Sequence, residues 1–395
     1  MNRSDTLGRR SVRRWAFALI TLALALVLCA GAAVAAETSR SAASKLGPVK
    51  ISTFKGPWLK WNKTTCQFDR TNVHPKVYRP VLRKFPSPTT IGYTPETTVF
   101  PFDLLMNNSI ERAARGTNIQ LQTISNEFPS KTKPLQAADQ MVQIKPRLII
   151  SGNIVSELYP AIQDKYFEAC IPFINEFAMP IPKPVPMYQS SFRFDGNTMG
   201  TTIASFAKKR DWPLKDTWVI FCSDPTIATA KGSIADIGRF FMAAVKKALP
   251  QIPADHFAPF LSCPVDQGPL KPRVAVLNWL TAHPEAKYVL GGAWDDSPRG
   301  LGMVQALNQR RFGTRAAIVG RGGDLASIKL LAAKDPIFAA DLDPGFSVWG
   351  PALLALTQDI VAGKPVPTLV APPNLLITSA NANAAIARLK KLGIK

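Results

Sequence analysis

Histidine is nearly missing, with 3 in 395 residues, and no Cys-x-x-Cys occurs. The ligand spacing of a zinc or redox centre is therefore lacking. No Walker loop, no Gly-x-Ser-x-Gly elbow and no first-strand Gly-x-Gly-x-x-Gly is present. Those absences remove the usual marks of nucleotide-hydrolysing, serine-hydrolase and dinucleotide enzymes. The glycine turn "GRGGD" alone does not restore them. Acid is scarce too: 27 Asp+Glu stand against 48 Lys+Arg, a formal net charge of +21. Beyond residues 15–34, no run reaches the ~18 apolar residues that span a bilayer.

What is present begins with an export signal. Arg9, Arg10, Arg13 and Arg14 form a positive start, and "WAFALITLALALVLCAGAAV" is an apolar run. "AVAAET" offers a small-residue cleavage site near Ala35 or Ala36, so residues 1–36 are expected to leave. A retained anchor is one alternative. A lipoprotein on Cys29 is another, against which Leu28 stands where a small residue is expected. Arg13-Arg14 also suggests a twin-arginine signal. The expected location is the periplasm.

Export changes how the cysteines read. Cys66, Cys170, Cys222 and Cys263 remain, and four cysteines in an oxidising compartment allow three pairings. Free buried thiols are the other reading. Residues 37–88 hold eleven Lys/Arg and two acids, a net of +9. They are proline-punctuated, with Phe54, Trp58 and Trp61, and read as a strap on the first domain or a partly disordered arm. Basic residues interleaved with aromatics also suit nucleic acid, but an exported chain meets little, and no such partner is expected.

From Thr89 strand and helix alternate. "TTIGYT", "IQLQTI", "RLIIS" and "IPFI" read as strands, with helices over 102–115, 131–144 and 156–169. Such alternation implies a parallel sheet covered on both faces. "AMPIPKPVPM", residues 178–187, carries four prolines and reads as a loop near a domain boundary. Asp195 is expected to cap a helix running to Arg210. Strands "TWVIFC", "FAPFLS", "YVLGG", "AAIVG" and "IFAADL" then alternate with helices over 233–248, 270–283, 297–310 and 324–333. A helix over 347–362 and a terminal strand over 366–377 close the chain.

Several stretches carry a resemblance. "IGYTPETTVFPFDLLMNNSIERAARGTNIQL", "RLIISGNIVSELYPAIQDKYFEACIPFI", "LTAHPEAKYVLGGAWDDSPRGLGMVQAL", "AAIVGRGGD" and "IVAGKPVP" occur in order over about residues 88–378. Together they resemble the sugar-type periplasmic substrate-binding proteins of ABC importers. The resemblance implies an α/β fold of two Rossmann-like lobes with parallel sheets. Three hinge strands would join them near Phe194, Asp343 and Asn374, with a ligand cleft between. The implied first lobe is 89–193 plus 344–372 and the second 194–343 plus 373–378, leaving 379–395 as a tail. It also implies that Cys222 and Cys263 lie at adjacent strand ends and pair, with Cys66 and Cys170 as the second bond.

Carried over residue by residue, the resemblance points to a site. Trp294 stands where the family has a ligand-contacting Asn, and Asp295 matches the Asp beside it. Arg321 stands at an aromatic position, and Gly322 replaces the sugar-binding Asp. Glu176, Phe177, Phe100 and Phe102 occupy other cleft positions, with Tyr93 and Ser151 at strand ends. Phe194 and Asp343 are hinge residues facing the cleft. Polar groups leave and rings enter, which suits a ring-bearing or apolar solute, while Arg321 could fork onto a carboxylate or phosphate. Each residue has a plainer role: Phe102 packing under its helix, Phe177 packing on the proline loop, Asp295 and Asp296 capping a helix, Arg321 solvated, Asp343 only a hinge.

The resemblance thus implies a monomeric solute-binding protein, not an enzyme, with no cofactor and no metal. Its partners would be a small-molecule ligand and an ABC permease in the inner membrane. The alternative is a periplasmic sensor that presents its ligand-bound form to a chemoreceptor or histidine kinase.

Overall fold

The computed structural model describes residues 47–49, 51, 56–98, 101–128, 130–152, 156–176, 183–189, 191–223, 236–264, 268–294 and 296–394. The expected export segment lies outside them, as do Phe100, Phe177 and Asp295.

The basic extension is structured. It holds β1 (Gly47–Pro48), β2 (Trp58–Asn62), β3 (Gln67–Thr71) and β4 (Val81–Leu82). β1 pairs with β4 and β2 with β3, both antiparallel. Trp58, Leu59, Trp61 and Phe68 are buried, whereas Lys60, Gln67, Asp69 and Arg70 face water. That one-sided burial is what a short hairpin needs to be stable on a larger domain. Trp61 stacks on Phe167 of the first lobe at 6.1 Å between centroids. A disulfide joins Cys66 to Cys170, with 4.8 Å between Cα atoms.

The first lobe follows as β5 (Thr89–Thr94), α1 (Pro101–Ala114), β6 (Ile119–Thr123), α2 (Lys133–Ile144), β7 (Ile149–Ser151), α3 (Tyr159–Glu168), β8 (Phe173–Asn175) and β9 (Met187–Tyr188). The second holds α4 (Phe192–Lys209), β10 (Thr217–Ser223), α5 (Asp236–Ala248), β11 (Leu261–Ser262), α6 (Leu270–Ala282), β12 (Tyr288–Ala293), α7 (Leu301–Gln309), β13 (Ala316–Arg321), α8 (Leu325–Ala332) and β14 (Phe338–Asp343). The chain returns through α9 (Phe346–Val361), β15 (Val366–Pro367) and β16 (Leu369–Val370). It ends in β17 (Leu375–Ile377) and α10 (Ala382–Lys391).

Two six-stranded sheets result, ordered β16-β9-β8-β7-β5-β6 and β11-β10-β12-β13-β14-β17. Apart from antiparallel β17, every strand pair in them is parallel. β10, β13 and β14 are buried at every residue, as strands covered on both faces must be. The chain passes between the sheets after β9, after β14 and between β16 and β17, so three connections join the lobes. The expected two-lobed α/β architecture is the observed one.

α9 is apolar nearly all round and is accordingly buried. It packs against α1 so closely that a Cβ at Gly350 would overlap the Ser109 carbonyl. Ser109 Oγ fastens the crossing by donating to the Phe346 carbonyl at 2.7 Å and accepting from Gly350 N–H at 2.9 Å.

Several expected elements differ. The cap of α4 is Ser191, whose Oγ accepts from Phe194 N–H at 3.3 Å; Asp195 lies inside the first turn. The strand expected over 257–262 shortens to Leu261–Ser262, because Pro259 has no N–H for the ladder. The terminal strand over 366–377 splits into three at Pro367 and at Pro372-Pro373. Residues 379–395 carry α10, which buries Ala382, Ala385 and Leu389 and packs on α8.

Candidate functional site

Parallel strands leave their carboxyl ends together, and ligands of open α/β sheets bind there. In the first lobe those ends are Tyr93, Ser151 and Asn175, with Glu176 one residue further. Tyr93 Oη donates to Asn107 Oδ1 of α1 at 2.5 Å. Asn107 Nδ2 in turn donates to the Thr97 carbonyl at 3.2 Å. Ser151 is buried, and its carbonyl accepts from Glu176 N–H at 2.8 Å. Glu176 is fully buried beside Gly152, where a Cβ would come 3.0 Å from its Oε2. Its Oε1 accepts from the Trp349 indole N–H at 2.7 Å. Trp349 reaches it because α9 enters the first lobe from the hinge, and Tyr188 of β9 packs edge-on to the same indole at 4.8 Å.

Burial raises the Glu176 carboxyl from 4.5 to about 7, since the charged form loses its water. Hydrogen bonds from Trp349 and Tyr93 hold it from going higher.

In the second lobe the strand ends converge on Asp195. This fully buried carboxylate accepts from Arg321 Nε at 2.7 Å through Oδ2 and from Asn374 Nδ2 through Oδ1. Arg321 is 1% exposed. One carboxylate thus ties α4, the end of β13 and the last hinge segment. The Arg321 guanidinium lies 5.6 Å from the ring centroid of Phe102, which belongs to α1 of the first lobe. Phe102 also meets Phe346 edge-on at 5.1 Å. Asp343 Oδ1 accepts from the N–H groups of Gly345 and Phe346, at 2.7 and 3.1 Å, and so starts α9. Burial raises its carboxyl. Those two N–H bonds, then Arg388 and Arg321, pull it back.

A third group surrounds the end of β12. Trp294 is 9% exposed, and the Arg299 guanidinium stacks on its ring at 4.4 Å. Arg299 is itself buried and donates from Nε to the Cys263 carbonyl at 2.8 Å. Cys263 is bonded to Cys222, with Cα atoms 5.5 Å apart. The pair follows from register: Ser223 of β10 lies beside Ser262 of β11, which brings the neighbouring cysteines together.

The structure therefore brings Tyr93, Ser151 and Glu176 together at one sheet, and Phe102, Arg321 and Asp343 between the two. Phe194 lies on the outer side of the first turn of α4, 55% exposed. Phe100, Phe177 and Asp295 lie outside the described residues. Arg321, expected to fork onto a ligand anion or to sit in solvent, is instead buried on Asp195. Asp343, expected to face a ligand or act as a bare hinge, has Oδ1 taken by backbone N–H groups. Sequence reasoning missed Asp195, Asn374, Arg299 and Trp349. A usable signal existed for Arg299, a lone cation in the otherwise apolar "GLGMVQAL" approach.

These groups can orient a ring and hydrogen-bond its substituents. The three histidines are elsewhere. His74 stacks on Trp58, and His256 and His283 pack on Trp218 at the opposite end of β10. Among the described residues no group of three or more His, Cys, Asp or Glu side chains is placed to hold a metal ion.

No family model and no curated protein matches the sequence. Solved structures do match. A galactofuranose-binding protein superposes with a TM-score of 0.66 at 16% identity, over 78% of this chain and all (100%) of that one. A Mycobacterium smegmatis protein in complex with β-D-fucofuranose gives 0.63 at 20% identity, over 77% and 96%. The periplasmic binding protein of the arabinose ABC transporter from Shewanella sp. ANA-3, bound to arabinofuranose, gives 0.62 at 16%, over 77% and 95%. The fold is the type 1 periplasmic binding fold.

Proposed function

We propose that the protein is an exported solute-binding protein that closes its lobes on a small, ring-bearing, sugar-like molecule and hands it to an ABC permease. The observation that carries this reading is the contact of Phe102 from one lobe with Arg321 of the other at the strand ends, 5.6 Å from ring to guanidinium. A hinge-closing binder needs such a seam. Trp294, backed by Arg299, is a rigid ring platform for a sugar face. Arg321 already has its counter-charge in Asp195, so the ligand need not carry an anion. Two of the structural neighbours named above hold furanose sugars and the third is a galactofuranose-binding protein, and a compact five-membered ring suits walls built from Phe102 and Trp294.

Calorimetry on the purified protein tests it, with arabinose, galactofuranosides, ribose and glucose as ligands. One of the furanose-forming sugars should bind with micromolar or tighter affinity. Trp294→Ala should weaken that binding at least tenfold, about 1.4 kcal/mol. Absence of saturable binding by any of them would sink the sugar reading. Co-purification of a membrane permease with the liganded but not the empty protein would carry the transport half.

A further inference from the structure

The far end of the first lobe, where strands begin, has a charge pattern that solute binding does not use. The connections entering β5, β6 and β7 bring Arg83, Lys84, Arg115, Lys145 and Arg147, and the β2–β3 turn adds Lys63. All six are exposed, and these four connections contain no acid. Arg83 lies 3.8 Å from Asp359. The other five have no ion-pair partner among the described residues. In the second sheet the connections entering β10, β12 and β14 mix signs: Asp211 and Asp216 accompany Arg210 and Lys215, Glu285 accompanies Lys287, and Asp335 accompanies Lys334, while the one entering β13 carries Arg310, Arg311 and Arg315 without an acid.

Three of the free cations share a groove. Lys63, Lys145 and Arg147 line a cavity of about 380 Å³ floored by Trp61, Ile171 and Val361, with no carboxylate in its walls. The Cys66–Cys170 disulfide holds one wall in place. The carboxyl ends of α2, α3 and α9 also reach this groove. Three helix ends at roughly half a negative charge each cannot offset three full positive charges. The groove keeps a positive field.

We propose that this pole of the first lobe docks on an anionic phospholipid surface, with a headgroup phosphate received between Lys63, Lys145 and Arg147. Cations around a groove with no carboxylate in its walls match a sheet of phosphates, and the groove is wider than a bare ion needs. The contact lies at the opposite end of the strands from the cleft, so docking leaves the solute site open.

Co-sedimentation of the full chain with vesicles tests the proposal. Vesicles of phosphatidylglycerol and phosphatidylethanolamine should capture the protein, and phosphatidylcholine vesicles should not. Raising salt from about 0.1 M to about 1 M, which shortens the screening length from roughly 10 Å to roughly 3 Å, should release it. Each cation at such a surface is worth about fivefold in partitioning. The triple variant Lys63→Gln, Lys145→Gln, Arg147→Gln should thus bind about a hundredfold more weakly, with an unchanged melting temperature. A control triple in the second lobe, Lys246→Gln, Lys287→Gln, Lys334→Gln, should bind as the parent does. Equal losses in both triples would reduce the effect to net charge and overturn the proposal. So would no capture by anionic vesicles, or saturable binding of inorganic phosphate at this groove without vesicle binding, which would make it a soluble-anion site.

Discussion

The two disulfides sit at opposite ends of the strands they serve. Cys66–Cys170 lies where the strands of the first lobe begin, and it fastens the N-terminal hairpin to α3. Cys222–Cys263 lies where β10 and β11 finish, and the Cys263 carbonyl positions Arg299 behind Trp294. The same bond therefore does different work in the two lobes. In the first it holds an added element onto a finished sheet. In the second it sets the surroundings of Trp294 at the end of β12.

The largest expected effect tests whether the second lobe has a lock of its own that needs no disulfide. Asp195→Ala leaves Arg321 buried without its counter-charge and removes the Asn374 bond. Denaturant unfolding should show a loss near 5 kcal/mol, the top of the range for a broken buried pair. A loss under about 1 kcal/mol would mean that water reaches the pair.

The disulfides come next and separate the lobes directly. The bridged residues are 104 apart in one pair and 41 in the other. Loop-closure entropy predicts losses of about 4.7 and about 3.9 kcal/mol on removal. Affinity should respond the other way round. Cys66→Ser with Cys170→Ser should leave sugar binding by the folded protein unchanged, while Cys222→Ser with Cys263→Ser should weaken it severalfold. Equal binding in both would show that Arg299 does not need its anchor.

A smaller effect sharpens the contrast from the first lobe. Glu176 is protonated more readily folded than unfolded, so the native state takes up the proton. Its contribution to stability is therefore full below pH 4.5 and is lost as pH rises through about 7. The span corresponds to at most about 3 kcal/mol. Glu176→Gln keeps an acceptor for Trp349 and should flatten that fall between pH 5 and pH 8 in thermal melts. An unchanged slope would assign the pH dependence to another group.

The smallest is Trp349→Phe, which removes the indole N–H from Glu176 and should cost about 1–2 kcal/mol without moving the sugar affinity. Calorimetry that shows a tenfold affinity loss would instead place Trp349 on the ligand itself.

How much of this was legible in the sequence divides along chain distance. Alternating apolar runs and glycine stops marked β5 to β8, β10 to β14 and their helices, because those signals are local; β9 was hidden at the end of the proline run read as a loop. Tyr93, Phe102 and Trp294 were marked only by the family resemblance, position by position. The partners of the charged residues were hidden: Asp195 is 126 residues from Arg321, and Trp349 is 173 from Glu176. Nothing near Arg321 in sequence says that its charge is already met. The hairpin was obscured differently. Its charge and prolines suggested an arm, and the one-sided "WLKW" and "QFD" pattern is too short to outweigh them.

The pairing of β15 with β2 has a consequence for biosynthesis. Leu59 meets Val366, and Pro57 carbonyl accepts from Thr368 N–H at 3.0 Å, so nearly the first described strand waits for nearly the last. Tyr78 and Arg83 likewise close on Asp359 and Gln358. A nascent chain that has not yet reached Val366–Thr368 cannot complete the first lobe, whichever order its helices form in. Contacts of such high sequence separation form late and slowly. The unfinished polypeptide thus keeps its first lobe open until that returning segment has been made.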